Sequence, residues 1–177
     1  MAAILILYHS QQYGNTARMA EAVAEGVEAA GADAALYNAN DARFDVSRYR
    51  AFDAAAFGTP DYYSYIAGTM KVFLDDWYIT KRDDPTGLLD KPIALFDSHG
   101  GGGAVRRPFE QLFARLGNQI GETVESNGAP SDAVLAACRD LGRRLVEAVA
   151  WCTARAYRRS RTQARTGPGV SDAGAGA

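Results

Sequence analysis

Apolar positions along this chain switch between two periods. Residues 4–8 form a short unbroken apolar run, the mark of a strand covered on both faces. Residues 15–30 then follow the helical period, with Met19, Ala20, Val23, Ala24 and Val27 on one face and Gly31 as a natural stop. Weak strand character at 33–37 is followed by a clear strand at 52–57, ended by Gly58-Thr59-Pro60. The spacing of Met70, Phe73, Leu74 and Trp77 predicts a helix over 68–78, and Asp83-Asp84-Pro85-Thr86-Gly87 reads as a loop. A fourth strand is expected at 92–96, a helix at 105–116, a fifth strand at 120–124 and a last helix at 132–151.

Five strands separated by helices imply parallel pairing through right-handed crossovers. The expected fold is therefore α/β, a doubly wound five-stranded parallel sheet with helices on both faces. One domain over 1–151 accounts for the pattern. Residues 152–177 are basic and rich in glycine and alanine, and disorder is expected past about Tyr157.

Composition narrows the function classes. The chain is 47% hydrophobic and 23% charged, ordinary for a globular domain. No apolar run approaches the roughly 18 residues of a membrane span. The opening residues lack a basic start and run straight into His9-Ser10-Gln11-Gln12, which argues against a signal peptide and predicts a cytoplasmic protein. Net charge is −2, but the tail holds Arg155, Arg158, Arg159, Arg161 and Arg165 against Asp172, leaving 14 basic and 20 acidic residues, or −6, in the body. An acidic body argues against nucleic acid as the main partner. Cys138 and Cys152 form no CxxC pair, so they read as free, mostly buried thiols rather than a metal or redox site.

In a sheet of this kind ligands bind beyond the carboxyl ends of the strands, and three loops there carry chemistry. The first, Ser10-Gln11-Gln12-Tyr13-Gly14-Asn15-Thr16, enters a helix N-terminus, where free N–H groups and the helix dipole favour an anion. Ser10, Asn15 and Thr16 add neutral donors, and Gly14 permits a tight turn. The GxxxxGK[ST] pattern is absent, which points away from a nucleoside triphosphate and toward a monophosphate. The competing reading is a plain turn capped by Asn15 or Thr16. The second loop, Gly58 to Tyr65, clusters Tyr62, Tyr63 and Tyr65, suited to stacking a flat heteroaromatic or to covering the sheet edge. The third, Asp97-Ser98-His99 followed by Gly100 to Gly103, lets backbone approach a planar ligand or serves as a linker. Asp97, Ser98 and His99 are adjacent, so they cannot form a nucleophile–base–orienter triad, and no GxSxG elbow surrounds Ser98.

These segments resemble the flavodoxin-like FMN-binding proteins over about residues 1–150. The likeness rests on Leu5-Ile6-Leu7-Tyr8-His9-Ser10 with Gly14-Asn15-Thr16 and Met19-Ala20, on Gly58-Thr59-Pro60 with Met70-Lys71-Val72-Phe73-Leu74-Asp75, and on the glycine-rich third loop. The resemblance implies FMN as cofactor, its phosphate held by Ser10, Gln12, Tyr13, Gly14, Asn15 and Thr16. It implies a ring sandwiched between Thr59, Pro60, Asp61, Tyr62 and Tyr63 on one side and Ser98, His99, Gly100, Gly101 and Gly102 on the other. It assigns no catalytic residue and no metal ligand. Ser10 and Thr16 stand six steps apart where relatives usually have five, which implies a one-residue bulge near Gln11-Gln12.

Two branches of that resemblance compete. One is an electron-transfer flavodoxin acting with redox partner proteins. The other is an FMN-dependent NAD(P)H reductase of quinones or similar small acceptors. Gly68-Thr69-Met70-Lys71 leans to the second, whereas His99-Gly100-Gly101-Gly102-Gly103 departs from its His-Gly-Gly-Gln-Glu stretch. Asp61 and Asp97, beside the ring loops, are expected to disfavour an anionic reduced flavin. Asp75-Asp76 and Asp83-Asp84 read as an acidic docking rim or as plain solvated surface. Met70, Val72, Phe73 and Trp77 suit either self-association into a homo-oligomer or the core.

Overall fold

The computed structural model describes residues 1–165, the side chains of 156–165 excepted. Elements run β1 (Ala3–Tyr8), α1 (Asn15–Ala29), β2 (Asp33–Asn38), a 3-10 turn (Val46–Ala51), β3 (Ala54–Pro60), α2 (Gly68–Asp83), β4 (Lys91–His99), α3 (Arg106–Phe113), β5 (Gly117–Gln119), β6 (Val124–Asn127) and α4 (Asp132–Arg165). Strand order is β2-β1-β3-β4-β5, with β6 also on β4, and every pairing is parallel. The doubly wound α/β expectation is met.

Alternation along each strand divides the core between the two faces. Leu5, Leu7, Phe57, Ile93 and Leu95 pack with Met70, Phe73, Trp77, Phe109 and Phe113 beneath α2 and α3. Ile4, Ile6, Ala56 and Phe96 pack with Met19, Val23, Val27, Cys138 and Leu145 beneath α1 and α4. Those last two helices meet backbone to backbone: a Cβ on Gly26 would sit 2.0 Å from the Arg139 carbonyl oxygen, and one on Gly142 would sit 2.2 Å from that of Val23. Of the four apolar residues singled out on α2, Met70, Phe73 and Trp77 belong to the core and Val72 is exposed.

Several boundaries correct the sequence reading. The sheet has six strands, not five. The expected strand at 120–124 is a detour between two short strands, because β4 advances only through 94 and 95 while its neighbour spends 120–123. Gly121, at φ 73°, lies in that detour. Gly58-Thr59-Pro60 is not a terminating turn but the end of β3, paired to Phe96-Asp97-Ser98. Asp97, Ser98 and His99 likewise belong to β4. Cys138 is buried as expected, but Cys152 is exposed. The final helix passes Trp151 and Tyr157 and continues to Arg165. Residues 166–177, on which the rest of the expected disorder falls, lie outside the described residues.

Candidate functional site

The carboxyl ends of β1, β3, β4 and β6 open onto one cavity of about 350 Å³. It is lined by the first loop from Ser10 to Thr16, by Pro60, Asp61 and Tyr62, by Ser98, His99 and Gly100, and by Gly128. All three loops read from the sequence contribute to it.

At the end of β1 the chain must turn into α1 within a few residues. Gly14 takes the left-handed conformation, φ 71° and ψ 7°, as the helix N-cap. Neither Asn15 nor Thr16 acts as the capping side chain, and no acidic residue sits in the first turn. The N-terminal N–H groups and the positive end of the helix dipole are therefore open to an anion in the cavity. Asn38, at the end of β2, fixes the start of the loop: its side-chain oxygen accepts from the Ser10 N–H at 3.0 Å, and its amide donates to the Ser10 carbonyl at 2.8 Å.

The other wall is shaped by Thr59 and Asp61. Thr59 is fully buried and lies off the cavity lining; its hydroxyl donates to the Pro60 carbonyl and accepts from the Ala67 N–H, both at 2.9 Å. Asp61 Oδ1 accepts from Ser64 N–H at 2.7 Å, and Oδ2 accepts from Ala104 and Val105 N–H at 3.0 and 3.1 Å. One carboxylate thus ties the β3–α2 loop to the loop ahead of α3. Tyr62 and Tyr65 close a tight turn through paired backbone bonds, which holds Tyr63 and Ser64 at φ 56° and 62°. Tyr63 is wholly exposed at the turn's tip, outside the lining.

Gly100, Gly101 and Gly102 are exposed, and an added Cβ on any of them would meet nothing within 4 Å. Crowding within the protein does not require glycine there. Only Gly100 of the three lines the cavity; Gly101 and Gly102 extend past its rim.

The sequence does not single out Gly128, which lines the cavity, or Asn38, which supports it. Asn38 and Gly128 stand at the carboxyl ends of β2 and β6, the signal that located the other loops. His9 is buried, with Nδ1 2.8 Å from the Thr69 hydroxyl and its ring edge-on to Tyr62 at 5.6 Å. Burial lowers its pKa.

Asp97 is fully buried, and neither carboxylate oxygen has a hydrogen-bond partner among the described residues. Burial, then the nearby Glu125, pushes its pKa up to about 7. Asp97, expected with Asp61 to disfavour an anionic reduced flavin, is therefore only partly ionised at neutral pH. Of the expected acidic rim, Asp75 pairs with Lys71, Asp76 with Arg43 and Asp84 with Arg50. Among the described residues no helix is long and apolar enough to cross a membrane, and no group of His, Cys, Asp or Glu is placed to hold a metal ion.

The donor set suits FMN. Neutral hydroxyls, an amide and a helix N-terminus line the same cavity as Pro60, Tyr62 and the open backbone of Gly100.

The family model described as flavodoxin matches residues 6–142. A curated relative, the NAD(P)H dehydrogenase (quinone) of Archaeoglobus fulgidus, is 27% identical, covering 83% of this chain and 97% of its own. A solved flavodoxin from the domain Archaea superposes with a TM-score of 0.71 at 23% identity, covering 83% of this chain and 98% of the other. A WrbA-like protein from Agrobacterium tumefaciens superposes with a TM-score of 0.66 at 25% identity, covering 85% and 99%.

Proposed function

The chain belongs to the flavodoxin family, its cofactor is FMN, and from that premise we propose that it is an electron-transfer flavoprotein passing electrons to docked redox partners. The observation that carries this reading is the open rim of the cavity. Tyr63 stands wholly in solvent and Gly100 to Gly102 are exposed with free space around them, so the ring edge is met from outside rather than across a substrate pocket.

FMN supplies the redox chemistry, accepting and releasing one or two electrons. The protein supplies position and electrostatics. Ser10, Asn15, Thr16 and the first N–H groups of α1 would hold the phosphate through neutral donors and the helix dipole. Tyr62 would wall one side of the ring, and the backbone from Ser98 to Gly100 would meet its other side. Asp61 keeps the two ring loops at a fixed separation.

A second reading is an FMN-dependent reductase of quinones that takes electrons from NAD(P)H. It is favoured by the Archaeoglobus relative, whose likeness runs over 97% of that protein. Purified protein loaded with FMN separates the two. Rapid one-electron exchange with a protein acceptor and no steady NADPH consumption with a quinone supports the carrier. Steady quinone-dependent NADPH oxidation overturns it in favour of the reductase. A colourless protein that takes up no added FMN overturns both.

A further inference from the structure

Next to Ser98, which lines the cavity, stands a carboxyl group with no hydrogen-bond partner among the described residues. Asp97 sits between Phe96 and Ser98 on β4, fully buried, with Oδ1 and Oδ2 both lacking a donor among the described residues. An unpaired buried carboxylate costs stability and returns none, so its presence at a site wall calls for a functional account.

The groups facing it are already engaged elsewhere. Asp61, from the β3–α2 loop, spends its carboxylate on three backbone N–H groups. Glu125, the β6 residue in register with Asp97, lies 3.0 Å from His99 Nε2. Arg106, the first residue of α3, pairs with Glu110 at 3.0 Å. Burial first, then Glu125 and more weakly Asp61, hold Asp97 toward its neutral form, and His99 and Arg106 oppose them. The balance leaves a carboxyl whose protonation a nearby added charge can tip.

We propose that Asp97 is a proton-accepting group coupled to the redox state of the cavity. When a one-electron donor adds negative charge to the bound ring, an Asp97 that is ionised in the oxidised protein takes one proton from solvent onto a carboxylate oxygen. Oxidation returns that proton. One electron and one proton enter together, and the net charge of the site is unchanged. The inference rests on the FMN reading above but not on the choice between carrier and reductase.

The test uses FMN-loaded protein reduced with dithionite in the presence of redox mediators. Midpoint potentials are measured from pH 5 to 9 for wild type and D97N, an isostere of the neutral acid. Wild type is expected to show an extra fall in potential with rising pH around neutrality, up to about 59 mV per tenfold drop in proton concentration for one electron, which D97N lacks. E125Q, which removes one charge holding Asp97 neutral, is expected to move that window to lower pH. On wild type alone, the ¹³C carboxyl resonance of Asp97 is expected to titrate at higher pH in the reduced than in the oxidised protein. Equal slopes in wild type and D97N, or an Asp97 titration that does not move on reduction, overturn the proposal while the FMN reading stands. Failure of the wild type to take up FMN overturns both.

Discussion

The hydroxyls of Thr16 and Ser98 lie 2.9 Å apart, both buried, and join the first turn of α1 to the end of β4. A hydroxyl pair uses one of its two hydrogens internally and leaves the other free to donate. The contact therefore fixes two cavity-lining residues against each other and leaves one hydroxyl hydrogen uncommitted. Thr16→Val and Ser98→Ala should each weaken FMN binding by about 1 kcal/mol, roughly fivefold in Kd. The double variant should lose less than the sum, with a coupling of about 0.5 kcal/mol or more. Fluorescence titration of apoprotein with FMN measures all four corners, and strict additivity would show that the two hydroxyls act separately.

Asp61 offers a different kind of control, because its acceptors are spent on two loops at once. Asp61→Ala leaves the N–H groups of Ser64, Ala104 and Val105 without that acceptor. It should destabilise the fold by about 1–3 kcal/mol. It should also raise hydrogen exchange at those three amides well above that of β1 and β3, whose bonds are untouched. Asp61→Asn retains an acceptor oxygen and should recover part of the loss. Denaturant unfolding with amide exchange by NMR reads both effects.

How far the sequence carries such a site depends on where strand ends are visible. Residues 4–8 and 15–30 announced β1 and α1 because an apolar run and a helical stripe flank a glycine turn. The cavity's first wall was legible for the same reason. β4 was underestimated because Asp97, Ser98 and His99 are polar, and only their pairing with β3 and β6 shows that they are strand. Gly128 was missed with β6, whose four residues Val124–Asn127 carry too little apolar pattern to betray a strand. Thr59 lies off the cavity lining, and a threonine next to a proline reads the same whether its hydroxyl faces a ligand or the Ala67 amide. Nothing local to Asp97 tells that its carboxylate has no partner, since that follows from what Asp61, Glu125 and Arg106 contact instead.

Asp97 also leaves a signature in the apoprotein. Its pKa is about 7 in the fold against an ordinary 3.8. Between those values the folded state holds more protons than the unfolded state. Stability from this group is therefore greatest at low pH and falls as pH rises from about 4 to 7, by at most about 1.4 kcal/mol per pH unit. Asp45, Asp84 and Asp140, whose pKa values are lowered by hydrogen bonds, slope the other way. The difference between wild type and Asp97→Asn isolates the term: the variant should gain stability relative to wild type as pH rises from 4 to 7, and the gain should level off above it. Urea unfolding at a series of pH values measures this, and a pH-independent difference would show that Asp97 is ionised throughout.

Tyr63 provides the sharpest separation of ligand from fold. It is wholly exposed and held at φ 56°, beside Ser64 at φ 62°. A side chain there costs conformational energy of roughly 1 kcal/mol that glycine avoids, and solvent offers it no packing in return. Tyr63→Gly should therefore leave the apoprotein as stable as wild type or up to about 1 kcal/mol more stable, with part of the gain offset by the added freedom of the unfolded chain. If Tyr63 folds over the bound ring, the same variant should bind FMN more weakly, by about the 0.5–1.5 kcal/mol of an aromatic stack. The two readouts move in opposite directions only when the residue serves the ligand. Unchanged FMN affinity alongside raised stability would remove Tyr63 from the binding set and leave Tyr62, which lines the cavity, as the tyrosine wall.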